Sequence, residues 1–232
     1  MNNIVEINNL HKEISRNTIL NDINFNLEEG TIVGLLGANG AGKSTLMKIM
    51  CGLLKPSSGK VSIFGKVPFI EWRDMYREVG VLLEPNIPTY LKGKEFLKQL
   101  KILKGSKYDD INNLLKKVGL ERAGDKKISN YSFGMKQRLG LAGALIGNPR
   151  LIILDEPFVG LDPLGIEDLQ NILIDLAKSK VTIFISSHQL PELHPIVNRF
   201  LFLENGVITK DITDFDETLN LLQLFKKEAI QN

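Results

Sequence analysis

A single cysteine, Cys51, occurs in the 232 residues, and it falls inside an apolar helical pattern. One thiol excludes an internal disulfide, which fits a reducing compartment, and packing is the plain reading of this residue. Charge of one sign is scarce too. The 29 Lys and Arg against 27 Asp and Glu leave a net +2, no reason to invoke wholesale binding to nucleic acid or anionic lipid. No run approaches the roughly 18 apolar residues that span a bilayer, and the opening MNNIVEINNL has neither the basic start nor the long apolar core of a secretory leader. The expectation is a cytosolic protein that meets a membrane only through a partner. Internal repeats and low-complexity tracts are also lacking.

What is present is an ordered series of short apolar segments. IVEINNL and ILNDINFNLEEG alternate with period two, predicting a small antiparallel lead-in sheet. TIVGLL is a denser β run, followed by a glycine-rich stretch and a helix predicted from about Ser44 to Leu53. GKVSIFGK returns to strand character, and VGVLLEPNIP (79–88) reads as a short strand ending in a proline-punctuated loop. From Leu91 to about Pro149 the texture becomes Lys-rich and helical, through EFLKQLKIL, INNLLKKVGL and MKQRLGLAGALIGN. RLIILDEP and KVTIFISSH are then compact β runs separated by the helical LGIEDLQNILIDLAK, the pattern of parallel strands with a crossover helix. TDFDETLNLLQLFKKEAIQN closes the chain as one predicted amphipathic helix.

GANGAGKST, residues 37–45, lies between TIVGLL and the first helix. In the spacing G-x-x-x-x-G-K-S/T, glycines let backbone N–H groups converge on phosphate oxygens where a side chain would collide, and the helix that follows presents its positive end. Gly37, Ala38, Asn39, Gly40, Ala41 and Gly42 form this cradle. Lys43 is placed to reach the β- and γ-phosphates of a nucleotide, Ser44 to put its hydroxyl on Mg²⁺, and Thr45 to assist through its N–H and hydroxyl. In RLIILDEP, Asp155 ends an apolar strand, where an acid has no packing role and faces a solvated crevice. Alone it reads as a strand-ending turn. With the cradle upstream, Asp155 is assigned to Mg²⁺, through water, and Glu156 to orienting and polarising an attacking water. In SNYSFGMKQRLGLA, residues 129–142, Ser132 stands where a helix N-cap belongs. Capping explains the serine but leaves Gly134 unexplained.

YSFGMKQ resembles the signature loop of ABC-type ATPases, and GANGAGKST, YSFGMKQRLGLA, LIILDEP, GLDP and SSH follow in that family's order over essentially the whole chain. The resemblance implies an α/β fold with a P-loop NTPase core and mainly parallel sheet (1–88 and 150–232), an N-terminal antiparallel β subdomain, and an inserted helical subdomain (89–149) carrying the signature. It also implies ATP and Mg²⁺ as cofactors, a head-to-tail pair of copies, and a separate integral-membrane permease that holds the chain at the cytoplasmic side of the membrane. Ser132 and Gly134 of one copy then contact the γ-phosphate held by the other, and His188 contacts the γ-phosphate in its own site. Asp162 faces the partner copy, although Asp before Pro is equally a helix start. The permease is expected around the loop after Glu84 and the helical insertion.

Two positions depart from that pattern. Glu84 stands where the family usually carries Gln near Mg²⁺ and the attacking water, and an ionised acid is acceptor-only. Glu here, with GMKQRLGLA, is similar to the subgroup that pumps bacteriocins, lantibiotics and bacitracin-like peptides. Ile14 stands where an aromatic ring commonly meets adenine. It offers apolar surface without ring stacking, or it is an ordinary core residue. Two other readings account for less of the sequence. A soluble ABC-type ATPase acting on DNA or ribosomes usually has a coiled-coil insertion or tandem ATPase domains, absent here, and a small-molecule kinase leaves YSFGMKQ, GLDP and SSH without purpose. No nucleic-acid partner is expected.

Overall fold

The computed structural model describes residues 2–83, 87–107 and 109–213. Its first unit is the lead-in hairpin. Strands β1 (Asn3–Ile14) and β2 (Asn17–Glu28) are joined by Ser15 and Arg16, whose φ angles of 50° and 68° give the left-handed turn that matches strand twist in a two-residue hairpin. The period-two pattern buries Val5 and Ile7 of β1, and a register shift before Leu10 returns that residue to the core. Strand β4 (Ser58–Ile63), from GKVSIFGK, pairs antiparallel with the other edge of β1, giving the order β2-β1-β4.

The second sheet has the order β5 (Val79–Leu82), β6 (Leu151–Leu154), β7 (Thr182–Ser187), β3 (Ile32–Leu36), β8 (Arg199–Glu204), β9 (Val207–Ile212), with only β9 antiparallel to its neighbour. Both faces are covered, which is why its central strands read as unbroken apolar runs. Val33 and Leu35 of β3 join a core shared with the antiparallel sheet and helix α1 (Lys43–Met50), whereas Ile32 and Leu36 join the core on the helical side. On β6, Leu151 and Ile153 point one way and Ile152 and Leu154 the other.

Helix α1 stops short of the expected Leu53 because Gly52 takes a φ of 70°. Helix α2 (Pro68–Met75) was not foreseen; it starts on a proline and buries only Pro68 and Met75. The segment expected to be helical holds α3 (Gly93–Lys104), α4 (Ile111–Lys117), a 3₁₀ turn at Ile128–Asn130 and α5 (Phe133–Ala144). Leu97, Leu114 and Leu139 of these helices share one core with Leu154 and Ile183 of the sheet. Helix α5 approaches β5 so closely that a Cβ on Gly80 would lie 2.3 Å from the Ala144 carbonyl oxygen. Helix α6 (Pro163–Lys178) makes the crossover from β6 to β7, and α7 (Leu190–Leu193) follows β7. The predicted terminal helix, past Thr213, and Glu84 lie outside the described residues.

Candidate active site

In the parallel register Leu36 of β3 stands beside Ser187 of β7, and Leu154 of β6 beside Ile185. The three strands therefore end together, and the loops that leave them share one crevice at the carboxyl edge of the sheet. GANGAGKST leaves β3, Asp155 and Glu156 leave β6, and His188 leaves β7.

The cradle is a backbone structure. Gly42 has φ 110° at the N-cap of α1, and no side chain caps that helix, so its first amides are left for another acceptor. A Cβ on Gly42 would lie 2.8 Å from Leu20 Cδ2, and one on Gly37 would lie 2.3 Å from the Leu203 carbonyl oxygen. Ala38, Asn39 and Gly40 form the exposed crest, Ala41 is buried beneath it, Ser44 is exposed, and Thr45 is half-buried. Lys43 is buried, and its Nζ donates to the carbonyls of Gly37 (2.7 Å) and Ala38 (3.1 Å).

Beside it, Ser186 joins the two acids. Its buried Oγ donates to Asp155 Oδ1 at 2.6 Å and accepts from the Glu156 N–H at 2.9 Å. Glu156 has φ 49°, a left-handed conformation that costs a non-glycine residue about 1–2 kcal/mol and persists where the surroundings hold it. Its Oε2 lies 2.8 Å from His188 Nδ1. Its Oε1 is buried, makes no hydrogen bond, and faces Lys43 Nζ at 3.1 Å as an ion contact. One step behind, the Ser187 hydroxyl donates to Glu192 Oε2 and accepts from the Gln189 N–H at 2.9 Å. Burial raises the Glu192 carboxyl pKa above the usual range, against the opposing pull of that hydrogen bond. Ser186 and Glu192 thus anchor the loops carrying Glu156 and His188, and sequence reasoning missed both.

These residues fit a nucleotide triphosphate and Mg²⁺. The uncapped helix start, the glycine approach and a buried ammonium suit phosphate, and Glu156 Oε1, held by an ion contact without a hydrogen bond, suits a water proton once that ammonium turns to phosphate. Ser44 and Asp155 offer hard oxygen donors of the kind Mg²⁺ prefers when it keeps waters and phosphates as its other ligands. Among the described residues no group of three or more His, Cys, Asp or Glu forms a dedicated metal cluster.

A second cleft, about 340 Å³, is lined by Ser132, Phe133, Gly134, Arg138, Leu161 and Asp162 among others, and by no cradle residue. Ser132 caps α5 by accepting from the Met135 N–H (3.2 Å), and Asp162 caps α6 by accepting from the Gly165 N–H (2.8 Å). Arg138 ties the two helices through Asp168 at 2.8 Å. Both capping roles anticipated from the sequence are present, and the same cleft brings the two motifs side by side. Ile14 ends β1 opposite Asn17 and is 44 % exposed, so it is not a core residue.

The model of the family described as ABC transporter matches residues 20–159, a span that includes the cradle, the α5 start and both acids. The chain belongs to the ABC transporter ATPase family. Among the relatives of this ATP-binding subunit is the lantibiotic transport ATP-binding protein SrtF of Streptococcus pyogenes, 38 % identical over 98 % of both chains. The bacitracin transport ATP-binding protein BcrA of Enterococcus faecalis is 40 % identical over 91 % of this chain and 70 % of its own length. In fold it is similar to the solved ATP-binding subunit of an ABC transporter (28 % identity, TM-score 0.87, 97 % and 99 % of the two chains). A dimeric ATP-binding cassette in a post-hydrolysis state with ADP and Pi shares the fold at TM-score 0.82 and 24 % identity, over 90 % of this chain and 98 % of that one. No helix among the described residues of the ATP-binding subunit is long and apolar enough to cross a membrane.

Proposed function

We propose that this ABC ATPase works as a pair of copies that drives a separate membrane permease, exporting an antimicrobial peptide or protecting its producer from one. The observation that carries the reading is the separation of two helix starts. The uncapped start of α1 sits in the crevice with Lys43, Asp155 and Glu156, while Ser132 and Gly134 line a different cleft. Each chain thus holds two halves of different sites, and a head-to-tail pair completes both. Similarity to lantibiotic and bacitracin transport proteins supports the peptide class.

In this mechanism Lys43 leaves its carbonyl partners for the β- and γ-phosphates. Glu156, released from that ion contact, orients and polarises the attacking water. His188 steadies Glu156 and would meet the γ-phosphate, and Asp155, fixed by Ser186, would hold Mg²⁺ together with Ser44 and Glu84. Bound Mg²⁺ supplies charge neutralisation on the phosphate oxygens. Ile14 provides apolar surface for the base, and Asp162 faces the partner copy. The residues from 89 to 149 act as a helical subdomain that carries the signature loop. A groove of about 170 Å³, lined by Tyr76, Leu83, Phe96, Leu100 and Lys104 among others, lies between the sheet and those helices. It is the proposed seat of the permease, which tethers the chain to the cytoplasmic face.

The decisive test is the solution mass of Glu156→Gln by light scattering with and without MgATP, beside Lys43→Ala. Dimer formation by the first variant alone is expected. A monomer that demonstrably binds ATP would remove the self-pairing motor.

A further inference from the structure

Apolar side chains are concentrated on one exposed surface that the catalytic mechanism does not use. Leu53 follows α1 and is 67 % exposed; Ile70 and Trp72 on α2 are 75 % and 50 % exposed, with Phe69 nearly half exposed beside them. The segment after α1 packs directly on the start of α2, since a Cβ on Gly52 would lie 2.5 Å from the Pro68 carbonyl oxygen. The two stretches therefore form one surface. Cations sit over its rings: Lys55 Nζ lies 5.9 Å from the centre of Phe69, and the Arg73 guanidinium 5.5 Å from Trp72. At the end of α2, Tyr76 passes under Lys104 at 5.2 Å and enters the groove assigned above to the permease. Ile102 and Leu103, beside that lysine on α3, are again largely exposed.

We propose that this surface rests on the membrane itself, with the α2 aromatics and Ile70 in the headgroup and acyl boundary and Lys55 and Arg73 on anionic phospholipid headgroups. The chemistry is that of a surface-lying helix, in which apolar and aromatic groups enter the boundary while basic groups snorkel outward. Tryptophan is favoured at that level of a bilayer, and each basic side chain near an anionic leaflet adds attraction that salt screens. The high exposure of Ile70 and Leu53 marks protruding side chains of the kind that enter the headgroup and acyl boundary. Glu71 Oε2 is engaged by the Val67 N–H at 2.7 Å and Glu78 by Lys66 and Arg150, while Lys55 and Arg73 lie over the rings. The orientation of this surface rests on the permease reading, because the two surfaces adjoin at Tyr76.

Trp72 is the sole tryptophan, so its fluorescence reports on this surface alone. The full chain is titrated with vesicles of phosphatidylcholine containing increasing phosphatidylglycerol, without permease, following Trp72 emission and co-sedimentation. The expected result is a blue shift and binding that grow with phosphatidylglycerol and weaken with salt, and a loss of about tenfold or more in Ile70→Glu and Phe69→Glu. Unchanged far-ultraviolet circular dichroism and basal ATPase in those variants would show that the fold survives. Absence of a shift at every composition overturns the proposal, as does equal binding to pure phosphatidylcholine. Capture only by membranes carrying a permease also overturns it and gives the surface to that protein. Stimulation of ATPase by a permease is a separate readout, so failure of the permease reading leaves a distinct trace.

Discussion

Replacing Ser186 with alanine tests the architecture of the acidic pair. Its Oγ is buried and serves two partners, Asp155 Oδ1 as donor and the Glu156 N–H as acceptor. A hydrogen bond to an ionised acceptor contributes about 1.5–3 kcal/mol, and an amide left unpaired in the interior costs about 1–3 kcal/mol. Asp155 is only partly buried, so water recovers part of the first contribution. The expected loss is about 2–4 kcal/mol in unfolding free energy, read by urea denaturation of the nucleotide-free chain. Glu156 also loses the tether that holds its left-handed backbone, and a shift of about 1 Å in a catalytic group costs on the order of 100-fold in rate. Steady-state ATPase should fall about 10- to 100-fold while nucleotide binding through Lys43 persists. Ser186→Cys, which keeps the volume and a weak donor, should fall between. A stability change under about 0.5 kcal/mol together with a rate within about twofold of the parent would refute the assignment of Ser186 as the joint of the site.

Gly134→Ala places a Cβ 2.9 Å from Leu161 Cδ2, the end of a flexible side chain; stability should drop by less than about 1 kcal/mol, whereas hydrolysis, but not ATP binding, should fall at least about tenfold as the second anion site fills. Ile14→Tyr should raise ATP affinity by about 1 kcal/mol through ring stacking and widen the ATP over GTP preference in paired turnover assays; a strong preference already present in the parent would count against the role given to Ile14. Lys104 donates to the carbonyls of Val79 and Ile146, and burial lowers its pKa from 10.5 to about 8. Below pH 8 the unfolded and folded chains both carry its proton and the desolvation cost is full. Between about 8 and 10.5 the unfolded chain binds more protons, so stability rises with pH. Relative to Lys104→Met, the parent should gain on the order of 2–3 kcal/mol across that window, measured by urea denaturation at several pH values; a constant difference would refute the burial argument.

The cradle, both acids, His188 and the capping serine were legible because each chemistry is written in neighbouring residues at the end of a recognisable apolar run. The sheet order was not. It arises from which strands bury which faces: the pairing of β4 with β1 joins residues some fifty positions apart, with no local mark. The hairpin turn at Ser15 and Arg16 lacks the Asn-Gly signal, so its tightness comes from the strands it joins. Helix α2 escaped because it buries only two residues; without a buried stripe there is no helical period to read. Ser186 and Glu192 look in sequence like a strand residue and a surface acid. Their roles appear only when β6, β7 and α7 meet, since a hydroxyl that joins two loops has no signature in either.

The pairing of Glu156 with both Lys43 and His188 has a consequence for the order of events when nucleotide arrives. Before nucleotide arrives, the acid that would activate water is occupied by the same ammonium that must later receive the phosphates. Loading and arming are therefore a single event, in the manner of an interlock. A copy without nucleotide should idle, its acid shielded until the phosphates draw the ammonium away.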